Sequence, residues 1–147
     1  EREILGAIPY QPNETVLHTD TRLMPANRRA WASWNYHRFS SDEQQVCVTY
    51  DMTHLQQLQA PRRLLVTLNA TDRIDPNKIL RRLNYAHPVY NRSSVAARGR
   101  WQEISNVNST HYCGAYWGYG FHEDGLRSAV AVARDIEADT SAGTAGA

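Results

Sequence analysis

Between Gly114 and Ser128 the chain reads Gly-Ala-Tyr-Trp-Gly-Tyr-Gly-Phe-His-Glu-Asp-Gly-Leu-Arg-Ser. An apolar stretch, a glycine loop and a helix-forming run follow one another. A unit of that kind presents unpaired backbone N–H groups at a helix start, which suits an electron-rich or anionic ligand atom. Gly118 and Gly120 have no side chains, so a flat ligand could approach their backbone closely. Glu123 and Asp124 fall where carboxylates cap free N–H groups and complement the helix dipole. The loop holds G-x-G but not the full dinucleotide fingerprint: Glu123 takes the third glycine's place, and no strand follows the helix. By spacing alone, a ligand loop and a tight strand-to-helix turn fit equally well.

Other residues with chemical potential read more plainly as structure. His18 with Asp20 could do acid–base work, but the pair falls at a strand end and reads as a turn. His87 precedes Pro88 and reads as a turn residue rather than a pocket wall. His122 lies in the glycine loop and could face a ligand. Trp31, Trp34 and Tyr36 could wall a pocket, though aromatic strands more often fill cores. His111 and His122 are too far apart for a simple zinc pair, and no third ligand suggests itself, so no metal is expected. No catalytic base can be named. Cys47 and Cys113 are 66 positions apart, too far for a close-spaced zinc or redox motif, and both read as buried thiols. Four N-x-S/T triplets occur, at Asn13, Asn69, Asn91 and Asn108. With no secretory signal opening the chain, they read as chance.

The elements that must position these residues fall into two blocks. Strands are predicted at Val16–Thr19, at Arg29–His37, at Val46–Tyr50 and at Leu64–Leu68. In Arg29–His37, Ala30, Ala32, Trp34 and Tyr36 alternate with Trp31, Ser33, Asn35 and His37. Both faces carry an aromatic, so the strand is expected to be covered on both sides. Ser40–Glu43 is a turn signal. Short loops favour an antiparallel meander of four or five strands over residues 14–70. Asp75-Pro76 opens a short helix through Leu80, and Asn84–Tyr90 is extended ahead of and through Pro88. A helix is expected over Ser93–Glu103, a turn at Asn106 and Asn108, and a buried strand over His111–Trp117. The last helix is predicted over Gly125–Ile136, with Leu126, Ala129, Val130, Ala133 and Ile136 on one face. Residues 138–147 read as a disordered tail.

The Gly114–Ser128 run resembles the C-terminal signature of a bacterial branch of the flavin-containing amine oxidase and phytoene desaturase superfamily, whose members are described as predicted NAD/FAD-binding proteins. Upstream, Leu17-His18-Thr19-Asp20, Leu23-Met24-Pro25, Trp31-Ala32-Ser33-Trp34-Asn35-Tyr36, Val66-Thr67-Leu68-Asn69 and His87-Pro88-Val89-Tyr90 look like the same branch. Together these pieces cover almost the whole chain. The resemblance implies an α+β fold: an antiparallel substrate-domain-type sheet and a helix over residues 1–110, then a strand, glycine loop and helix over 111–137 belonging to an FAD domain. It implies that the final helix points its N-terminus at the pyrimidine side of the isoalloxazine, where a positive dipole end stabilises charge on the reduced ring. The implied FAD-binding residues are Gly114, Ala115, Gly118, Gly120, Phe121, His122, Glu123, Asp124, Gly125 and Leu126. Many members carry an acidic residue after the first glycine to bind flavin hydroxyls. This chain has Ala115 there, and Asp124 or Glu123 could stand in.

Composition bounds the alternatives. The 147 residues, 41% hydrophobic and 21% charged, suffice for a packed core, and a formal net charge of +1 with no basic face argues against nucleic acid. No apolar run approaches the roughly 20 residues that cross a bilayer, and a cytoplasmic location is expected. The chain opens at Glu1 directly into structured sequence, as a piece of a longer protein would. The strand–helix–strand unit with its glycine fingerprint is absent from these residues. The piece alone is therefore expected to bind flavin poorly, to lack activity and to self-associate. The parent's substrate is expected to be a small molecule, apolar or lipid-like in one version. A cofactor-free β-rich binding or assembly module and a histidine- or metal-dependent hydrolase are the competing classes.

Overall fold

The computed structural model describes residues 1–39 and 46–144. Five strands, β1 Tyr10–His18, β2 Trp34–His37, β3 Cys47–Asp51, β4 Leu65–Leu68 and β5 Ile79–Pro88, form one sheet in the order β2-β3-β4-β1-β5. The pairs β2–β3, β3–β4 and β1–β4 are antiparallel. The Thr19 amide bonds the Lys78 carbonyl at 3.0 Å and the Val89 amide bonds Pro9 at 2.8 Å, so β1 and β5 also run antiparallel. The helices are α1 Arg2–Gly6, α2 Met52–Leu55, α3 Arg92–Arg98 and α4 His122–Thr144. The expected α+β class with an antiparallel sheet and a C-terminal helix is what forms. The assignment of the last segment to an FAD domain has no support in the fold. The chain divides into two units, Pro12–His87 and Glu1–Gln11 with Pro88–Ala147. Among the described residues no helix is long and apolar enough to cross a membrane.

Cross-strand register distributes the sheet's side chains in an unusual way. Asn35, Thr49, Thr67 and Val16 stand in one row across four strands, and Asp51, Leu65 and His18 in the next on the same face. Every member of these rows is buried, and His18, Thr49, Asp51 and Thr67 are fully so. The opposite face carries the rows Trp34–Tyr50–Val66–Leu17 and Tyr36–Val48–Leu68–Thr15. There Trp34 and Tyr36 are 52% and 68% exposed. Strand β2 is thus covered on its Asn35 side and open on its aromatic side, not covered on both. It is also shorter than the alternation suggests. Arg28–Ala30 is a 3-10 turn capped by Asn27, whose Oδ1 accepts from the Arg29 amide at 3.0 Å. The Trp31 indole N–H donates to the Pro25 carbonyl at 2.7 Å, and the Asn35 amide group closes on the Ala32 carbonyl at 2.7 Å. Local bonds therefore hold this stretch until Trp34 joins the ladder.

The strand order is not the expected meander, because β1 pairs with β4 and the fifth strand comes from Ile79–Pro88, beyond residue 70; the remaining departures are local. Asp75-Pro76 opens a 3-10 turn that ends at Lys78, and Ile79 and Leu80 already belong to β5. The helix expected to reach Glu103 stops at Arg98 and resumes as a 3-10 turn at Trp101–Glu103. Asn106 and Asn108 turn through positive φ, as residues of that type do. The Ser40–Glu43 turn lies outside the described residues.

In the unit made by Glu1–Gln11 and Pro88–Ala147, Ile4, Ile8, Ala97 and Ile104 form the core. Tyr112, Tyr116 and Trp117 pack on it. The strand predicted over His111–Trp117 does not form: Ala115–Trp117 is a 3-10 turn, and Cys113, expected buried, is exposed. Gly114 breaks a short β-prone run, and the aromatics serve this core better as a turn than as a ladder. Cys47 is buried as expected. Helix α4 continues past residue 137 to Thr144. Within this extension the Thr140 and Ser141 hydroxyls satisfy themselves on the Ile136 and Glu137 carbonyls one turn back. The four N-x-S/T asparagines have structural roles or turn geometry. Asn13 and Asn69 bond each other at 2.7 Å, Asn91 caps α3 in a reciprocal box with Ser94, and Asn108 turns the chain.

Candidate functional site

Helix α3 starts at the Asn91–Ser94 box and ends by presenting Arg98 to the glycine loop. The Arg98 guanidinium donates to the Gly118 carbonyl and lies 5.1 and 5.3 Å from the Tyr90 and Tyr119 ring centres. The loop closes on itself: the Gly118 and Gly120 amides both donate to the Ala115 carbonyl, at 3.0 and 3.1 Å. Buried Asp124 reaches back from the first turn of α4, its Oδ2 accepting from the Tyr119 and Phe121 amides at 2.9 and 3.2 Å. This is the returning half of a capping box. Ser128 anchors the other end, its Oγ accepting from the Gly114 amide at 2.8 Å and donating to Gly125 at 2.8 Å. Burial raises the Tyr90 hydroxyl's pKa, and the facing Arg98 opposes the rise.

The glycines are required by what surrounds them. A Cβ on Gly118 would lie 2.3 Å from the Asp124 carboxyl carbon. Gly120 has φ +88, and its Cβ would lie 2.7 Å from the Tyr90 hydroxyl. Gly125 only touches Ala115 at ordinary distance. Gly114, Ala115, Gly118, Gly120, Phe121, His122, Glu123, Asp124, Gly125 and Leu126 fall in one turn-and-helix unit, in which a 3-10 turn takes the place of the expected strand. The structure gives Asp124 Oδ2 to backbone amides, while Oδ1 lies 3.6 Å from the Arg127 guanidinium. Phe121, His122, Glu123 and Leu126 are exposed. Among the described residues, the amides of His122 and Glu123 donate to nothing, as the first amides of a helix must unless something caps them.

The chain matches no protein-family model and no curated protein. Among the described residues, no group of three or more His, Cys, Asp or Glu could hold a metal ion.

The Pro12–His87 unit holds a second polar assembly that the sequence reading did not find. His18 Nδ1 accepts from the Asp20 amide at 3.1 Å, so the neutral ring carries its proton on Nε2 and donates to Thr67 Oγ1 at 2.8 Å. Thr67 and Thr49 hydroxyls meet at 2.7 Å, and Thr49 meets His37 Nε2 at 2.9 Å. With its first donor fixed, the chain runs His18 to Thr67 to Thr49 to His37, four residues on four strands. Burial lowers the pKa of both imidazoles, and nearby Asp20 partly offsets this for His18. Asp20 itself is fully buried, bonded by Arg22, the Asp75 amide and Lys78. The Arg22 guanidinium holds its carboxyl well below the usual range. His18 and Asp20 thus form the strand-end turn the sequence suggested, as part of a larger network. His87 accepts from Asn13 Nδ2 at 2.9 Å.

Proposed function

We propose that this chain is the C-terminal part of an FAD-dependent oxidoreductase of the amine oxidase or desaturase type, supplying substrate-pocket strands and a helix start that faces the flavin. The observation that carries the reading is the α4 N-terminus. A glycine loop precedes a 23-residue helix whose first two amides are unpartnered beside exposed Phe121 and His122. That donor set fits an electron-rich ring edge, with Ala115 leaving flavin hydroxyls to other residues. FAD, when bound, would supply the hydride-accepting chemistry. The chain's part is to fix the backbone amides of His122 and Glu123 through the Asp124 cap and the Ser128 anchor, so that no reorganisation is needed.

The longer protein containing these residues is expected to purify yellow with non-covalent FAD, and the 147-residue chain colourless. In the longer protein, Gly120→Val should abolish or sharply weaken flavin retention, since it forces a β-branched residue into positive φ against Tyr90. Wild-type flavin content in that variant would remove the main support. A second reading, a cofactor-free β-rich binding module, is favoured by one observation: the space beside Gly118 and Gly120 is taken by the protein's own Asp124 and Tyr90. A longer protein that purifies without flavin absorbance, and takes none up on titration, would decide for it.

A further inference from the structure

A cleft of about 480 Å³ in the Pro12–His87 unit is lined by Thr21, Arg28, Trp31, Thr53, His54 and Arg63. No carboxylate is among them. The Trp31 indole is pinned by its bond to the Pro25 carbonyl, and two guanidiniums converge on it, Arg63 at 5.0 Å and Arg28 at 5.5 Å from the ring centre. Arg63 is positioned from below by Asp51, which is fully buried and also caps α2 through the His54 amide at 3.1 Å. That carboxylate accounts for one of the two charges. Among the described residues the Arg28 side chain makes no ion pair or hydrogen bond, and its contact with Trp31 leaves its N–H donors unused. Two like charges held at one ring, one of them uncompensated, with two hydroxyls and an exposed imidazole alongside, lack only a counter-anion.

We propose that this cleft binds an oxyanion head group, a phosphomonoester or a carboxylate, between Arg28 and Arg63. A guanidinium takes either bidentately, and the indole offers an apolar surface to whatever the head group is attached to. This site is independent of the flavin reading, which concerns other residues. The test follows the Trp31 indole N–H by NMR, identified through Trp31→Phe, while the chain is titrated with inorganic phosphate or with acetate at constant ionic strength. At least one anion is expected to give a saturable shift, and which one saturates at lower concentration identifies the head group. Arg28→Gln should weaken that binding roughly tenfold or more, as loss of a charge-assisted bidentate bond does. Arg28→Lys, which keeps the charge and the fold, should fall between, and Arg29→Gln, one residue away, should leave it unchanged. No saturable shift with either anion would overturn the proposal. So would equal weakening by Arg28→Gln and Arg29→Gln, which would mean diffuse charge screening and no site.

Discussion

At the scale of single residues, the His18–Thr67–Thr49–His37 chain is the most constrained feature. Each hydroxyl both accepts and donates, and the direction is set at one end by the Asp20 amide. Thr67→Val keeps the shape and removes the acceptor of a buried His18 N–H. It should cost about 2 kcal/mol, as an orphaned buried donor does, and urea unfolding would measure it. A loss under about 0.5 kcal/mol, within the scatter of ordinary surface changes, would mean that the chain is not formed. The same network predicts a pH dependence. Both imidazoles have folded pKa values below the ordinary 6.5, so the unfolded chain takes up protons first as the pH falls. Stability is therefore full above about pH 6.5 and declines below it, by at most about 1.4 kcal/mol per pH unit for each histidine. Unfolding midpoints between pH 7.5 and 5.5 that do not move would refute this. The sequence shows His18 and His37 as isolated residues on different strands. What joins them is register, and register depends on turn lengths and strand partners that a linear pattern does not contain.

At the scale of elements, α4 illustrates what periodicity can and cannot fix. The repeat of Leu126, Ala129, Val130, Ala133 and Ile136 located a helix. Which side packs was decided by Asp124 and Ser128, the residues that tie it to the glycine loop. Asp124→Ala should cost about 1 kcal/mol, or about 3 °C in melting temperature for a chain of this size. It should also free the Tyr119 and Phe121 amides, which hydrogen exchange would report. If the proposed longer protein holds flavin, the same variant should retain it, because Asp124 Oδ2 serves the backbone. A variant with unchanged melting temperature that loses flavin would reassign Asp124 to the ligand. The glycine loop itself was legible, since few residue types tolerate the conformation of Gly120 or the approach of Asp124 to Gly118. The roles of Tyr90 and Arg98 were not, because they reach the loop from 30 and 20 positions away. The failed His111–Trp117 strand shows the opposite error, local β propensity overridden by a core that needed those aromatics in a turn.

At the scale of the whole molecule, large apolar side chains are exposed on two elements. One sheet face buries His18, Thr49, Asp51 and Thr67 while the other shows Trp34 and Tyr36 to solvent. The apolar stripe of α4 is likewise exposed, with Leu126, Val130 and Ile136 at 59%, 41% and 48%. Large apolar side chains exposed on two separate elements favour association. The chain is expected to form dimers or larger assemblies, with α4 as one contact, either packed against its copy or exchanged with it. Light scattering across a concentration series should show the mass rising. Val130→Glu, which places a charge in the middle of the stripe and touches no residue of the capping network, should return that contact to monomer without lowering the melting temperature of the monomer. The same charge placed by Ala138→Glu, at an exposed position about 120° around the helix from Leu126, should leave the assembly intact. A monomeric profile at the highest concentration reached would show that these faces do not bind one another. If both variants dissociate the assembly equally, charge on the helix is what matters, and the stripe is not the contact.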